Sequence, residues 1–221
     1  MRLFKRAPVV WCVLGFVTLA TELALQFIPG FGIAAAKVIV PVLECGMLIG
    51  AAALDHGRAL TPRYAVIAFS AAPVALAAVV ASGLAVFAAE WLTAYSLAGV
   101  NLLRTESTGG ELAPAEILIV LGAGTVVSLP VAFVPFAAIF GDTSFAGAFA
   151  TSARAFALNV APLLLFGVLA LLLVGLGVAT SGIGLIAIFP ILSAASYAAW
   201  KDIYVVAPVV RREPPGAGPR A

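Results

Sequence analysis

Residues 27–55 read FIPGFGIAAAKVIVPVLECGMLIGAAALD, and this stretch decides the fold class. An uncharged Pro29-Gly30 turn opens into an apolar run of roughly twenty residues, the length of a helix that crosses a bilayer. Pro41 lies in the middle of the run, and Lys37 and Glu44 lie where hydrocarbon disfavours a charge. The stretch therefore predicts a membrane helix that carries a proline and two ionisable side chains.

The composition of the whole chain agrees with a lipid environment. Hydrophobic residues make up 63% of the 221 residues and charged residues 10%, whereas a soluble domain has about a quarter charged residues. Basic residues are too sparse, and too close to the apolar runs, for nucleic-acid binding. Cys12 and Cys45 lie in apolar runs, and His56 is the only histidine. We therefore predict no metal site and no cofactor.

Six apolar runs have membrane-spanning length, and backbone in hydrocarbon must satisfy its own hydrogen bonds, so all six are predicted to be helices. They cover about residues 7–28, 33–54, 65–90, 115–140, 160–180 and 183–201. Prolines are expected to kink helices three, four and six. The prediction is an all-α membrane protein, with a six-transmembrane-helix bundle over residues 1–207 and a disordered cytoplasmic tail over residues 208–221.

Basic residues predict the orientation of the bundle, because loops rich in Lys and Arg remain in the cytoplasm. Ten basic residues flank one predicted side: Arg2, Lys5, Arg6, Arg58, Arg63, Arg154, Lys201, Arg211, Arg212 and Arg220. Both termini are therefore predicted to be cytoplasmic. Tryptophan and tyrosine favour the lipid–water boundary, and those predicted at the two boundaries are Trp11, Tyr64, Trp91, Tyr95, Tyr197, Trp200 and Tyr204.

The segment between helices four and five predicts a further helix. Residues 142–144 can cap it, and Phe145, Phe149 and Phe156 would lie within about 40° of one another on a helix, with Arg154 opposite. This pattern favours an interfacial amphipathic helix on the cytoplasmic leaflet. The alternative is a simple extension of helix four or five.

Two hairpins share an order of features that indicates a two-hairpin internal repeat. The matching positions are Ala7-Pro8 with Ala161-Pro162, Gly30–Gly32 with Gly182–Gly184, Pro41 with Pro190, and Asp55 with Asp202. A repeat related by an axis along the membrane normal would place helices two and six against each other at the centre. Chance is the alternative, because Gly and Pro are common in membrane helices.

Several motifs carry a resemblance to a known family. They are Arg6-Ala7-Pro8, IPGFG at 28–32, PVLECGML at 41–48, ALDHGR at 53–58 and YAAWKDIY at 197–204. The chain resembles an uncharacterised six-helix bacterial inner-membrane family, which is distantly similar to the membrane domain of glycerophosphodiester phosphodiesterases. The resemblance implies an inner-membrane location and carries over no catalytic or binding residue. Lys37 and Glu44 depart from the family, whose members mostly have apolar or small residues there.

Glu22 and Lys37 lie at nearly equal spacing on either side of Gly30. In an antiparallel helix pair they reach the same depth, where an unpaired charge costs about 2.5–3.5 kcal/mol. We therefore predict an ion pair between helices one and two. The alternative is that each side chain extends alone to the headgroups.

Glu44 is the third residue of this candidate intramembrane polar site. It is predicted near mid-membrane with no basic residue at its depth, so desolvation favours its protonated form. One interpretation is a proton- or cation-binding carboxylate at a water-filled seam between helices two and six, which carry the helix-breaking Pro41 and Pro190. The other is a hydrogen-bonded structural Glu, or one that reaches Lys37.

The sequence predicts a multi-pass membrane protein without revealing a substrate. A non-enzymatic membrane component or accessory subunit is favoured, because the helices contain few polar residues. The alternative is a small transporter or permeation subunit that uses Glu44. An intramembrane enzyme is disfavoured, because no catalytic group of residues converges in the pattern. The expected partners are membrane lipids, with another membrane protein or a second copy of the chain as further candidates.

Overall fold

The computed structural model describes residues 2–29, 31–103, 112–141 and 144–206. All regular structure within these ranges is helical. The helices are α1 (Arg2–Arg6), α2 (Pro8–Gln26), α3 (Gly32–Asp55), α4 (Pro73–Ala98), α5 (Pro114–Val131), α6 (Val134–Phe140), α7 (Phe145–Leu158), α8 (Val160–Ala179) and α9 (Leu185–Lys201). Two 3-10 turns, Pro62–Ala65 and Ile67–Ser70, precede α4, and a π-helical turn, Asp202–Val206, follows α9. The predicted tail, residues 208–221, lies outside the described residues.

Five helical stretches are long and apolar enough to cross a membrane: α2, α3, α4, α5 together with α6, and α8. The last apolar helix, α9, has 17 residues. The all-α prediction is therefore confirmed, with five helices able to cross a membrane, and the count of six spans stays a prediction.

Five helices pack as a closed ring in the order α3, α4, α5, α8 and α9, with α9 returning to α3. Outside the ring, α2 packs against α3 and α9. The contact between α3 and α9 is the one that the proposed repeat requires of helices two and six. The repeat itself stays a prediction.

The predicted third span, residues 65–90, begins eight residues too early, because α4 spans Pro73–Ala98. The spacing of Trp91, Tyr95 and Leu102 on one helical face also predicts that this helix continues beyond residue 90, as α4 does. Residues 62–70 form the two 3-10 turns instead, and Ala65 and Ala68 are buried. A Cβ atom on Gly46 of α3 would collide with the Tyr64 carbonyl, so the glycine lets this backbone lie directly on α3. Non-helical backbone is tolerated at membrane depth when protein buries it. Pro73 therefore begins a helix rather than kinking one.

The predicted fourth helix is broken rather than kinked. It ends at Val131 and restarts at Val134, since Pro130 and Pro135 each lack an N–H donor and each crowd the preceding turn. Ser152 of α7 forms hydrogen bonds with two backbone groups that the break leaves without helical partners. Its Oγ accepts a hydrogen bond from the Phe133 N–H at 3.0 Å and donates one to the Pro130 carbonyl at 2.7 Å.

Replacing Ser152 with alanine is expected to destabilise the protein by about 1–3 kcal/mol, because two buried backbone groups lose their partner. The measurement is unfolding by sodium dodecyl sulfate titrated into mild-detergent micelles. Ser70→Ala is the control, since that hydroxyl is exposed and donates only to the Ile67 carbonyl within its own turn. Equal stability of the two variants would contradict the role of Ser152.

The helix predicted between helices four and five is present as α7, and the Ser144 hydroxyl caps it by accepting a hydrogen bond from the Gly147 N–H. Its buried face differs from the phenylalanine face. Ala148, Ser152 and Ala155 are buried, and α7 packs against α4, α5 and α6. The small side chains on the buried face let α7 approach its neighbours closely. The position of the phenylalanines in the sequence does not predict this packing.

Candidate functional site

A cavity of about 490 Å³ lies within the helix ring, and side chains of all five ring helices line it. Its volume is in the range of small-molecule sites, about 300–1,000 Å³. Most of the lining is apolar. The polar and charged lining residues are Glu22, Lys37, Glu44, Ser82, Glu90, Ser128, Ser193 and Ser196.

The structure brings Glu22 and Lys37 together at this cavity. Lys37 Nζ lies 3.9 Å from Glu22 Oε1 and 4.9 Å from the centroid of the Phe87 ring. The equal spacing about the α2–α3 turn thus places both charges at one depth, as the sequence analysis expected. The positive charge of Lys37 is balanced by Glu22 and by the face of an aromatic ring.

Glu44 is surrounded by protein, so the accessible part of its side chain faces the cavity. Among the described residues, none forms a hydrogen bond or a salt bridge with its carboxylate. Ser193 and Ser196 of α9 line the same cavity, so the predicted seam between helices two and six corresponds to a real space. The third predicted site residue therefore shares the cavity with the ion pair.

Glu90 is the cavity residue that sequence reasoning missed. The predicted third membrane span ends at about residue 90, whereas α4 begins later, continues to Ala98 and places the Glu90 carboxylate at the cavity. A Cβ atom on Gly124 of α5 would collide with Glu90 Oε1, so the glycine leaves the space that the carboxylate occupies. The available signal is the helical spacing of Trp91 and Tyr95, which predicts that the helix continues beyond Glu90.

The carboxylates of the cavity are not arranged as metal ligands. Within the described ranges, no group of three or more His, Cys, Asp or Glu side chains is placed to hold a metal ion. The Ser82 and Ser128 hydroxyls donate to the carbonyls of Val79 and Thr125 in their own helices. The arrangement suits protons or a singly charged organic group better than a multiply coordinated ion.

The two prolines predicted to break helices leave them continuous. Pro41 lies inside α3 and lines the cavity beside Glu44. Pro190 lies inside α9 and is buried against Gly15 of α2. Each proline removes one backbone hydrogen bond, but only Pro41 does so at the cavity.

A stack of aromatic rings lies beside the cavity. Phe136 of α6 lines the cavity and stacks on Trp200 of α9, with ring centroids 5.7 Å apart. Phe140 and Tyr204 also pack on Trp200, at 5.7 and 5.9 Å. Burial raises the pKa of the Tyr204 phenol, and the charge of Arg154 opposes that shift. Trp200 at the end of α9 and Tyr204 in the following turn thus pack against α6, and their predicted location at a lipid–water boundary stays a prediction.

Polar contacts join several helix ends beside this ring stack. Lys201 Nζ lies 2.7 Å from Asp55 Oδ2, and the Tyr197 hydroxyl donates to the same oxygen at 3.0 Å. Arg6 donates to the Leu54 carbonyl at 3.1 Å. The ends of α1, α3 and α9 therefore meet at one end of the bundle.

Fold and site together give an all-helical protein with five helices able to cross a membrane and a largely apolar cavity that holds several ionisable side chains. Comparison of the chain with protein-family models, curated proteins and solved structures finds no match. The chemistry of the cavity is therefore the basis for inferring function.

Proposed function

We propose that the chain is a six-helix integral protein of a bacterial inner membrane, in which α9 is the sixth span and both termini are cytoplasmic. The meeting of helix ends around Asp55, Arg6 and Lys201 supports this threading, because it collects basic residues at one end of the bundle. In this arrangement α7 lies at the cytoplasmic boundary. The resemblance to the uncharacterised six-helix family is part of the same proposal.

Within that membrane, the protein acts as a small, non-enzymatic transporter or permeation subunit in which Glu44 binds a proton or a cation. The observation that carries this function is a carboxylate without a hydrogen-bond or salt-bridge partner among the described residues, facing a cavity inside a ring of helices. An ionisable residue at such a depth costs free energy, and in membrane proteins such residues mark ion pathways and proton relays. Glu22 and Lys37 neutralise each other, so Glu44 is left to bind a proton or a cation from the cavity.

Dicyclohexylcarbodiimide modifies protonated carboxyl groups in apolar surroundings, and we expect it to modify Glu44 in the purified protein. Glu44→Gln is expected to abolish the adduct at this position. Peptide mapping by mass spectrometry would find the adduct at Glu44 in the wild type, and rising cation concentration would slow its formation. Glu116→Gln is the matched control, because Glu116 lies in the first turn of α5, where it accepts from the Ala113 N–H. No adduct at Glu44, or one that neither protons nor cations affect, would overturn the proposed role.

One observation supports the alternative hypothesis that the protein is an accessory subunit. Gly122 and Gly175 have open space beside them, and apolar side chains of α8 such as Leu165 and Leu172 are well exposed. Small residues let membrane helices approach closely, so this surface suits a partner helix as well as lipid. Recovery of a stoichiometric protein partner in mild detergent, lost on Gly175→Leu, would favour this second function.

A further inference from the structure

We propose that Glu90 and the side pocket next to it form a binding site for an organic cation with an apolar body. The inference goes beyond the role of Glu44, because it concerns a different carboxylate on a different helix. It stands on the shape, the charge and the lining of the space around Glu90.

The shape comes from a second cavity of about 240 Å³ that branches from the first. Glu90, Ser128 and Phe166 line both cavities, so the two spaces meet at these side chains. The branch runs between α5 and α8 toward Leu121 and Leu171. It is therefore an apolar pocket with a carboxylate at its inner end.

The charge of Glu90 has no directly bonded partner among the residues that the structure describes. No described residue donates a hydrogen bond to Glu90 or forms a salt bridge with it. Lys37, a basic residue whose charge acts on Glu90, is paired with Glu22 and lies over Phe87. A carboxylate in such surroundings attracts a positive charge, and aromatic faces bind quaternary ammonium groups directly.

The lining selects against a small inorganic ion. Such ions need several oxygen ligands, and no described group of acidic side chains converges to supply them. Phe87 and Phe166 stand near Glu90 in the large cavity, and Phe133 lines the branch. A ligand whose ammonium group meets Glu90 while its apolar part fills the branch satisfies both features.

The test is calorimetric titration of the purified protein in mild detergent with benzyltrimethylammonium, tetramethylammonium and neutral benzyl alcohol. Benzyltrimethylammonium is expected to bind at least about tenfold more tightly than tetramethylammonium, because the ring leaves water. Benzyl alcohol, which lacks the charge, is expected to bind at least about tenfold more weakly than benzyltrimethylammonium. Equal affinity for the two cations, or equal affinity for the alcohol, would overturn the inference.

Two variants locate the site without relying on a single carboxylate substitution. Glu90→Gln removes the charge, and Gly124→Ala forces the flexible end of Glu90 to move. Both are expected to weaken benzyltrimethylammonium binding at least about tenfold. Gly122→Ala, two residues away with open space beside it, is expected to bind like the wild type. Unchanged binding in Glu90→Gln would contradict the proposed Glu90 site. Absence of the carbodiimide adduct at Glu44 would count against the role of Glu44 and would leave the Glu90 site unaffected.

Discussion

Replacing Trp11 with alanine is expected to remove about 3–5 kcal/mol from the free energy of unfolding. Trp11 is 0% exposed and packs in the core with Met47, Phe133 and Phe136. Its indole N–H also donates to the Leu3 carbonyl at 3.3 Å. Alanine would leave a cavity at the point where α2 meets the ring helices, and nearby side chains can fill it only in part.

Phe16→Ala is the matched control, because Phe16 lies on the same helix and is 57% exposed. Its ring contacts detergent or lipid in folded and unfolded states alike, so its removal is expected to change stability little. Both variants can be unfolded by sodium dodecyl sulfate titration and followed by circular dichroism. A Trp11→Ala protein as stable as Phe16→Ala would show that α2 is not held by this core.

Replacing Gly46 with alanine is expected to displace the 3-10 segment from α3. The new methyl group would collide with the Tyr64 carbonyl and lie 3.3 Å or less from the Tyr64 carbon and the Ala65 carbonyl. These atoms are backbone, so relief requires the whole segment to move. Overpacking of this kind costs about 1–3 kcal/mol.

The thiol of Cys45 reports that displacement directly. Cys45 is buried with Ala68 and Val79, so movement of the segment would expose it to N-ethylmaleimide. In a Cys12→Ser background, we expect faster modification of Cys45 in Gly46→Ala than in Gly175→Ala, whose new methyl group meets open space. Equal rates in the two proteins would mean that the segment does not depend on Gly46.

Features that rest on local pattern were predictable from the sequence. The ends of α2, α3, α8 and α9 follow apolar runs bounded by turn signals, and the structure places them within a few residues of the prediction. The Glu22–Lys37 contact follows from the geometry of a short helical turn and the cost of an unpaired charge in hydrocarbon. Neither needs knowledge of the rest of the fold.

Features that rest on distant contacts were not predictable in this way. Residues 65–72 are mostly apolar, and composition does not distinguish a membrane helix from 3-10 turns packed on α3. Glu90 falls at the end of the predicted span of residues 65–90, so the sequence places this carboxylate at a helix end, whereas α4 places it at the cavity. Asp55 and Lys201 meet across 146 positions of the chain, and no local spacing predicts that pairing. Trp11 has the residue type of a boundary residue, but only the packing shows that it faces the core.

The stack of Phe136 on Trp200 has a consequence for the shape of the cavity. The two rings belong to α6 and α9, and Phe136 also lines the cavity. A movement of α6 relative to α9 would therefore separate the rings and change the lining of the cavity together. The short α6, set off from α5 by the break beside Ser152, carries one of the two rings.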